Sequence, residues 1–183
     1  MRSLLWTVML LMIATGAWAQ VPSDRMELLK LPVDAQSVVT TWLHQDCGVD
    51  ELHGLQDRLQ QLSLPLEPVF WEAYRLGPTE VERKTFLEET RHRYQERQSH
   101  LEKFGERLFG SEEATQLQST SEEQYVQRRV DDYVNRYRTA ALAGLGVVGT
   151  KTSPLEPIAG DDQNPAQEAA KEALQSIERR MRH

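Results

Sequence analysis

The chain of 183 residues reads as an all-α protein, a compact antiparallel bundle of about five to seven helices, and three observations predict it. The first is the stretch Ser121–Gly149, SEEQYVQRRVDDYVNRYRTAALAGLGVVG. At about 100° per residue, Val126, Val130, Tyr133, Tyr137, Ala140, Ala141 and Gly144 form one stripe, with Arg128, Asp131, Asn135 and Arg138 opposite. That is an amphipathic helix. The second is a composition rich in Leu, Glu, Gln and Arg, all good helix formers. The third is that no run alternates β-branched with polar residues, as a half-buried strand does.

Residues 1–19, MRSLLWTVMLLMIATGAWA, read as a signal peptide. Arg2 is the positive n-region, residues 4–14 the apolar segment, and Ala17-Trp18-Ala19 a small-x-small cleavage site. The apolar run is shorter than the roughly 20 residues that span a bilayer. The mature chain is expected to start at Gln20, to lack a transmembrane segment, and to reside in the periplasm of a Gram-negative bacterium. Its single cysteine, Cys47, forms no internal disulfide and is expected to be buried.

Residues 20–32 read as an N-terminal tether and 33–149 as the helical domain. Pro32-Val33-Asp34 reads as a helix start with Asp34 as N-cap, and the first helix covers 35–45 with Val38, Val39, Trp42 and Leu43 inward. Asp50 is placed to cap a second helix over 51–62, in which Leu52, Leu55, Leu59 and Leu62 share a face. Ser63-Leu64-Pro65 opens a third, carrying Leu66, Val69, Phe70, Trp71, Tyr74 and Leu76 and closed by Gly77-Pro78. Residues 51–78 resemble a single HEAT-type helical hairpin, through Leu55, Leu59, Leu62, Pro68, Val69, Leu76, Gly77 and Pro78. The resemblance implies a protein-binding scaffold. No second copy follows at a fixed period, so no solenoid is expected.

A fourth helix, 79–103, shows a narrow seam of Leu87, Tyr94, Leu101 and, beyond it, Leu108, with Thr90 and Phe104 beside it. Residues 111–118 form a short helix, and Ser121-Glu122-Glu123-Gln124 has the form of a capping box for the Ser121–Gly149 helix. The small residues that end that helix are expected to lie under the bundle. Residues 150–164, with Pro154, Pro157 and Gly160, read as a linker. Residues 165–183 read as a C-terminal amphipathic helix with Ala170, Leu174, Ile177 and Met181 on one stripe and arginines near its end.

Net charge is −7, from 21 Lys+Arg and 28 Asp+Glu. The sign disfavours a nucleic-acid binder, which presents a basic patch; here the basic clusters 91–97 and 128–138 are interleaved with acids. The metal candidate is Glu88, His92, Glu96 and His100, stacked at i, i+4 steps with zinc-, copper- or nickel-binding side chains. The row falls away from the apolar seam, among Arg91, Arg93 and Arg97, so a solvated charged face is the plainer reading. His44, Cys47 and His53 are a second set, with only three ligands and no familiar zinc spacing.

No Gly-x-Ser-x-Gly elbow or phosphate-binding glycine loop is present. Carboxylate pairs such as Glu67 and Glu72 are ordinary for an acidic helical chain, and mutual pairing with Asp131 and Asp132 is the simpler reading of the arginines around them. The expectation is therefore an exported, non-enzymatic protein-interaction or scaffold module without a cofactor. Trp71, Tyr74, Leu174, Ile177 and Met181 are its candidate partner-binding residues. The alternative is a periplasmic metal-binding or metal-sensing protein using the Glu/His row. An envelope-associated protein comes third.

Overall fold

The computed structural model describes residues 26–45 and 49–182. The expected signal peptide, the first part of the tether and Cys47 lie outside the described residues. Among those residues the fold is all-α, with α1 (Met26–Leu29), α2 (Val33–His44), α3 (Val49–Gln61), α4 (Glu67–Leu76), α5 (Glu80–Phe104), α6 (Ser111–Ser119), α7 (Glu122–Val148), α8 (Glu156–Ala159) and α9 (Gln167–Met181).

Helix α7 is the axis. Helices α2, α3, α4, α5 and α9 all pack against it, and α8 packs on α9. The apolar stripe explains the first half of this arrangement: Val126, Tyr133 and Tyr137 are buried. From Ala140 to Val147 burial extends around the helix, and every residue but Ala143 is buried. Only an apolar sequence with small residues permits that. A Cβ on Gly144 would lie 2.5 Å from Phe70 Cε1, and one on Gly146 would lie 3.1 Å from Ala173 Cα. The two glycines thus let α4 and α9 approach the α7 backbone. Trp42 Nε1 donates to the Ala140 carbonyl at 2.8 Å within the core, which ties α2 to the same helix.

The ends of the helices follow from local chemistry. Pro68 sits in the first turn of α4, and Gly77 closes it at φ 73°, a conformation that favours glycine. Thr79 caps α5 in a reciprocal box with Glu82. The Ser121 hydroxyl accepts from Gln124 N at the start of α7. At the far end of α7, Arg180 of α9 donates to the carbonyls of Gly146 and Gly149, placing a cation on a helix C-terminus. Burial holds this guanidinium below the ordinary arginine value.

A main core joins α2, α3, α4, α7 and α9, with Phe70, Leu142, Leu145, Leu155 and Ile177 among its buried members. A second, smaller cluster of Tyr94, Leu101, Ala114 and Leu117 holds α6 on α5. There Tyr94 OH donates to Thr120 O at 2.8 Å and Gln98 Nε2 to Leu117 O at 2.6 Å, satisfying carbonyls at the end of α6.

Several details differ from the sequence reading. Helix α2 begins at Val33 with Pro32 in the capping position, so Asp34 lies inside the first turn. Helix α3 begins at Val49, which places Asp50 within it. Leu108 and Phe104 leave the α5 seam and are exposed. The helix stops at Phe104 and a 3₁₀ turn over Gly105–Arg107 changes the rotation per residue, so the seven-residue spacing no longer holds. Arg138, assigned to the polar face, is half-buried, because α7 has neighbours on several sides. Within 150–164, Leu155 is fully buried, and the Glu67 carboxylate accepts from Thr150 N and Oγ1. Helix α9 buries Ala170, Ala173 and Ile177.

Candidate functional site

A cleft lies where α2, α5 and α7 meet. It has a volume of about 380 Å³ and is walled by Leu43, Phe86, Tyr133 and Tyr137, with Val81 and Arg136 among its other lining residues. Each helix delivers its side chain for a local reason. His44 is the last residue of α2, Glu82 occupies the third position of the α5 capping box, and Tyr133 belongs to the α7 stripe.

These three side chains form a continuous hydrogen-bonded chain. Glu82 Oε1 lies 3.0 Å from His44 Nε2, and His44 Nδ1 lies 3.2 Å from Tyr133 OH. A carboxylate only accepts, so Nε2 carries the proton toward it. In the neutral ring, Nδ1 is then the acceptor for the phenol. The second Glu82 oxygen accepts from Thr79 N at 2.7 Å and Thr79 Oγ1 at 2.8 Å. One carboxylate therefore caps α5 and orients the imidazole. Aromatic packing holds the other end: Phe86 stacks on Tyr133 at 4.3 Å, and His44 meets Tyr137 edge-on at 5.6 Å.

The order carboxylate–imidazole–hydroxyl matches that of an acyl-transfer triad. The setting is different. Tyr133 lies in the middle of α7, where the helix ladder uses the backbone N–H groups that could otherwise stabilise an oxyanion. The geometry links three side chains that line the cleft.

The sequence-derived candidates are scattered by comparison. Glu88, His92, Glu96 and His100 are all exposed along α5. His92 Nε2 lies 3.7 Å from Glu96 Oε1, and Glu88 lies 4.0 Å from Lys84. Among the described residues, no group of three or more His, Cys, Asp or Glu side chains is gathered so as to hold a metal ion. In the second set, His44 is engaged with Glu82 and Tyr133, His53 is exposed on α3, and Cys47 lies outside the described residues.

Of the proposed partner-binding residues, Trp71 and Tyr74 are half-buried and meet edge-on at 6.1 Å. Leu174 is half-buried against the core, Ile177 is fully inside it, and Met181 is 60% exposed. The acidic pair serves structure: Glu67 holds Thr150, and Glu72 accepts from Glu27 N at 3.0 Å, at the start of α1.

The sequence reading passed over the partnership of Glu82 with His44. Thr79-Glu80-Val81-Glu82 has the capping-box form, which marks Glu82 as a fixed carboxylate. Its meeting with a residue 38 positions away has no local signature. The chain matches no family model, and neither the curated proteins nor the solved structures contain a match to it.

Proposed function

We propose that the chain is an exported, non-enzymatic interaction module of the bacterial envelope that receives a partner's apolar side chain in the α2/α5/α7 cleft. The carrying observation is the cleft itself: aromatic walls around a pre-ordered Glu82–His44–Tyr133 chain. Rigid aromatic walls reduce the entropy lost on binding, and aromatic residues are common anchors in interfaces. The signal-like residues 1–19 support export. The resemblance of 51–78 to a HEAT-type hairpin supports a binding role, although α3 and α4 each pack on α7. Among the described residues no helix is long and apolar enough to cross a membrane.

The test is site-specific photocrosslinking in the producing cell. A benzophenone side chain at Val81, which lines the cleft and is 64% exposed, is expected to give one discrete adduct. The adduct should be lost on Phe86→Ala. Labelling the exposed position Glu88 should not give it. Equal adducts at both positions, or none at Val81, would overturn the assignment to the cleft.

A further inference from the structure

We propose that a second pocket, between the end of α4, the middle of α7 and the start of α9, binds a small oxyanion presented as a carboxylate or a phosphate. The pocket holds about 330 Å³ and is lined by Arg75, Arg138, Tyr74, Asn135 and Asn164. Among the described residues no carboxylate lines it.

The Arg138 Nε–H is buried and lacks a hydrogen-bond partner among the described residues. A buried donor left unmet is costly, and more so on a charged group. The arginines in ion pairs among the described residues are Arg91, Arg93, Arg97 and Arg182; Arg75 and Arg138 are not among them. Arg75 uses its Nε on the Trp71 carbonyl at 3.3 Å, which leaves the terminal nitrogens of its guanidinium.

The polar neighbours complete a donor-rich wall. Asn164 Oδ1 accepts from Ala166 N at 2.9 Å, which fixes the amide, and Asn164 Nδ2 donates to Tyr74 OH at 3.3 Å. With its oxygen accepting, the phenol keeps its own proton to donate. Asp161 and Asp162, just before Asn164, have hydrogen bonds of their own: Asp161 Oδ1 accepts from Gln163 N, and Asp162 Oδ1 from Gln167 Nε2. Two guanidinium groups beside a phenol and an amide match the paired oxygens of a carboxylate or phosphate, which arginine binds with two parallel hydrogen bonds. The chain as a whole carries charge −7, so long-range attraction does not draw anions to it. Binding would rest on these contacts.

The test is an NMR titration of the purified full chain, following arginine Nε–Hε resonances. Sodium phosphate and disodium succinate are the probes, with sodium chloride at matched ionic strength as the control. Arg138 is assigned by the resonance lost in Arg138→Lys. That resonance is expected to shift saturably with phosphate or succinate and to stay in place with chloride. Whichever probe saturates first names the source, phosphate or carboxylate. Arg75→Gln alters an exposed side chain, so the protein should still fold. It should weaken binding about tenfold, the loss of one charge-assisted pair. An Arg138 resonance that moves no further with either probe than with chloride would overturn the proposal, as would an Arg75→Gln protein that titrates like the parent.

Discussion

Between Ala140 and Val147, α7 is buried at every residue but Ala143, whereas between Glu122 and Asp132 it buries Val126 alone. The same helix therefore serves two packing regimes. Its C-terminal half is the centre of the main core, with α4 and α9 close against its glycines. Its N-terminal half lies beside the α5/α6 arm, whose core is the four-residue cluster around Tyr94 and Leu101. Local stability follows the apolar area removed from water, so the arm should open at lower free energy than the main core. The Glu82–His44–Tyr133 chain sits between the two regimes. It joins α2 of the main core to α5 of the arm.

The largest expected effect tests this contrast directly. Ile177 is 1% exposed within the main core, and Leu101 is 7% exposed in the arm. Ile177→Ala is expected to cost about 4 kcal/mol and Leu101→Ala about 2 kcal/mol, measured by urea denaturation. Amide exchange adds a spatial readout: Leu101→Ala should speed exchange in α6 and leave the second half of α7 protected. Equal costs, with exchange rising everywhere together, would show one cooperative unit in place of two.

A second substitution probes the tight side alone. Gly144→Ala gains about 1 kcal/mol of helix propensity, but its Cβ would meet the ring of Phe70, which is 0% exposed. A net loss of about 2 kcal/mol is expected from overpacking. Gly144→Ala with Phe70→Leu should recover part of that loss, because the two sites share one contact. A stabilising Gly144→Ala would mean that α4 can yield, and that the main core is looser than its burial implies.

A third effect is smaller. Arg180→Gln removes the cation from the carbonyls of Gly146 and Gly149. The expected cost is about 1 kcal/mol, seen as a lower urea midpoint with faster exchange confined to the last turn of α7. An unchanged midpoint would mean that water replaces the guanidinium without loss.

Legibility in the sequence divides along the same line. The α7 stripe, the Gly77-Pro78 stop and the Ser121 cap were readable because each depends on residues within one or two turns. The start of α4 was misplaced: Ser63-Leu64-Pro65 reads as its opening, yet the helix begins at Glu67 with Pro68 in its first turn. The burial of most of residues 141–149 was readable from their size and lack of charge. What escaped depends on distance along the chain. Leu155 reads as part of a Pro/Gly linker, yet it is fully buried in the main core. Arg138 reads as a polar-face residue, and its burial depends on how α4 and α9 close around α7. His44 reads as a metal candidate until Glu82 and Tyr133, 38 and 89 positions away, are placed beside it.

The smallest expected effect concerns the Glu/His row on the arm. From Glu88 to His100 the helix rises about 18 Å at 1.5 Å per residue, while zinc holds its ligands at about 2 Å. Four side chains stacked along one exposed face cannot converge on a single ion, and one pair, such as His92 with Glu96, leaves most of the coordination to water. His92→Ala/His100→Ala should therefore change stability by no more than about 0.5 kcal/mol. Zinc should raise the thermal midpoint of parent and variant equally. A zinc-dependent rise confined to the parent would show that the row holds the ion, with ligands from a second chain or from residues outside those described. In that case the loosely packed arm, and not the aromatic cleft, would be the binding element of the molecule.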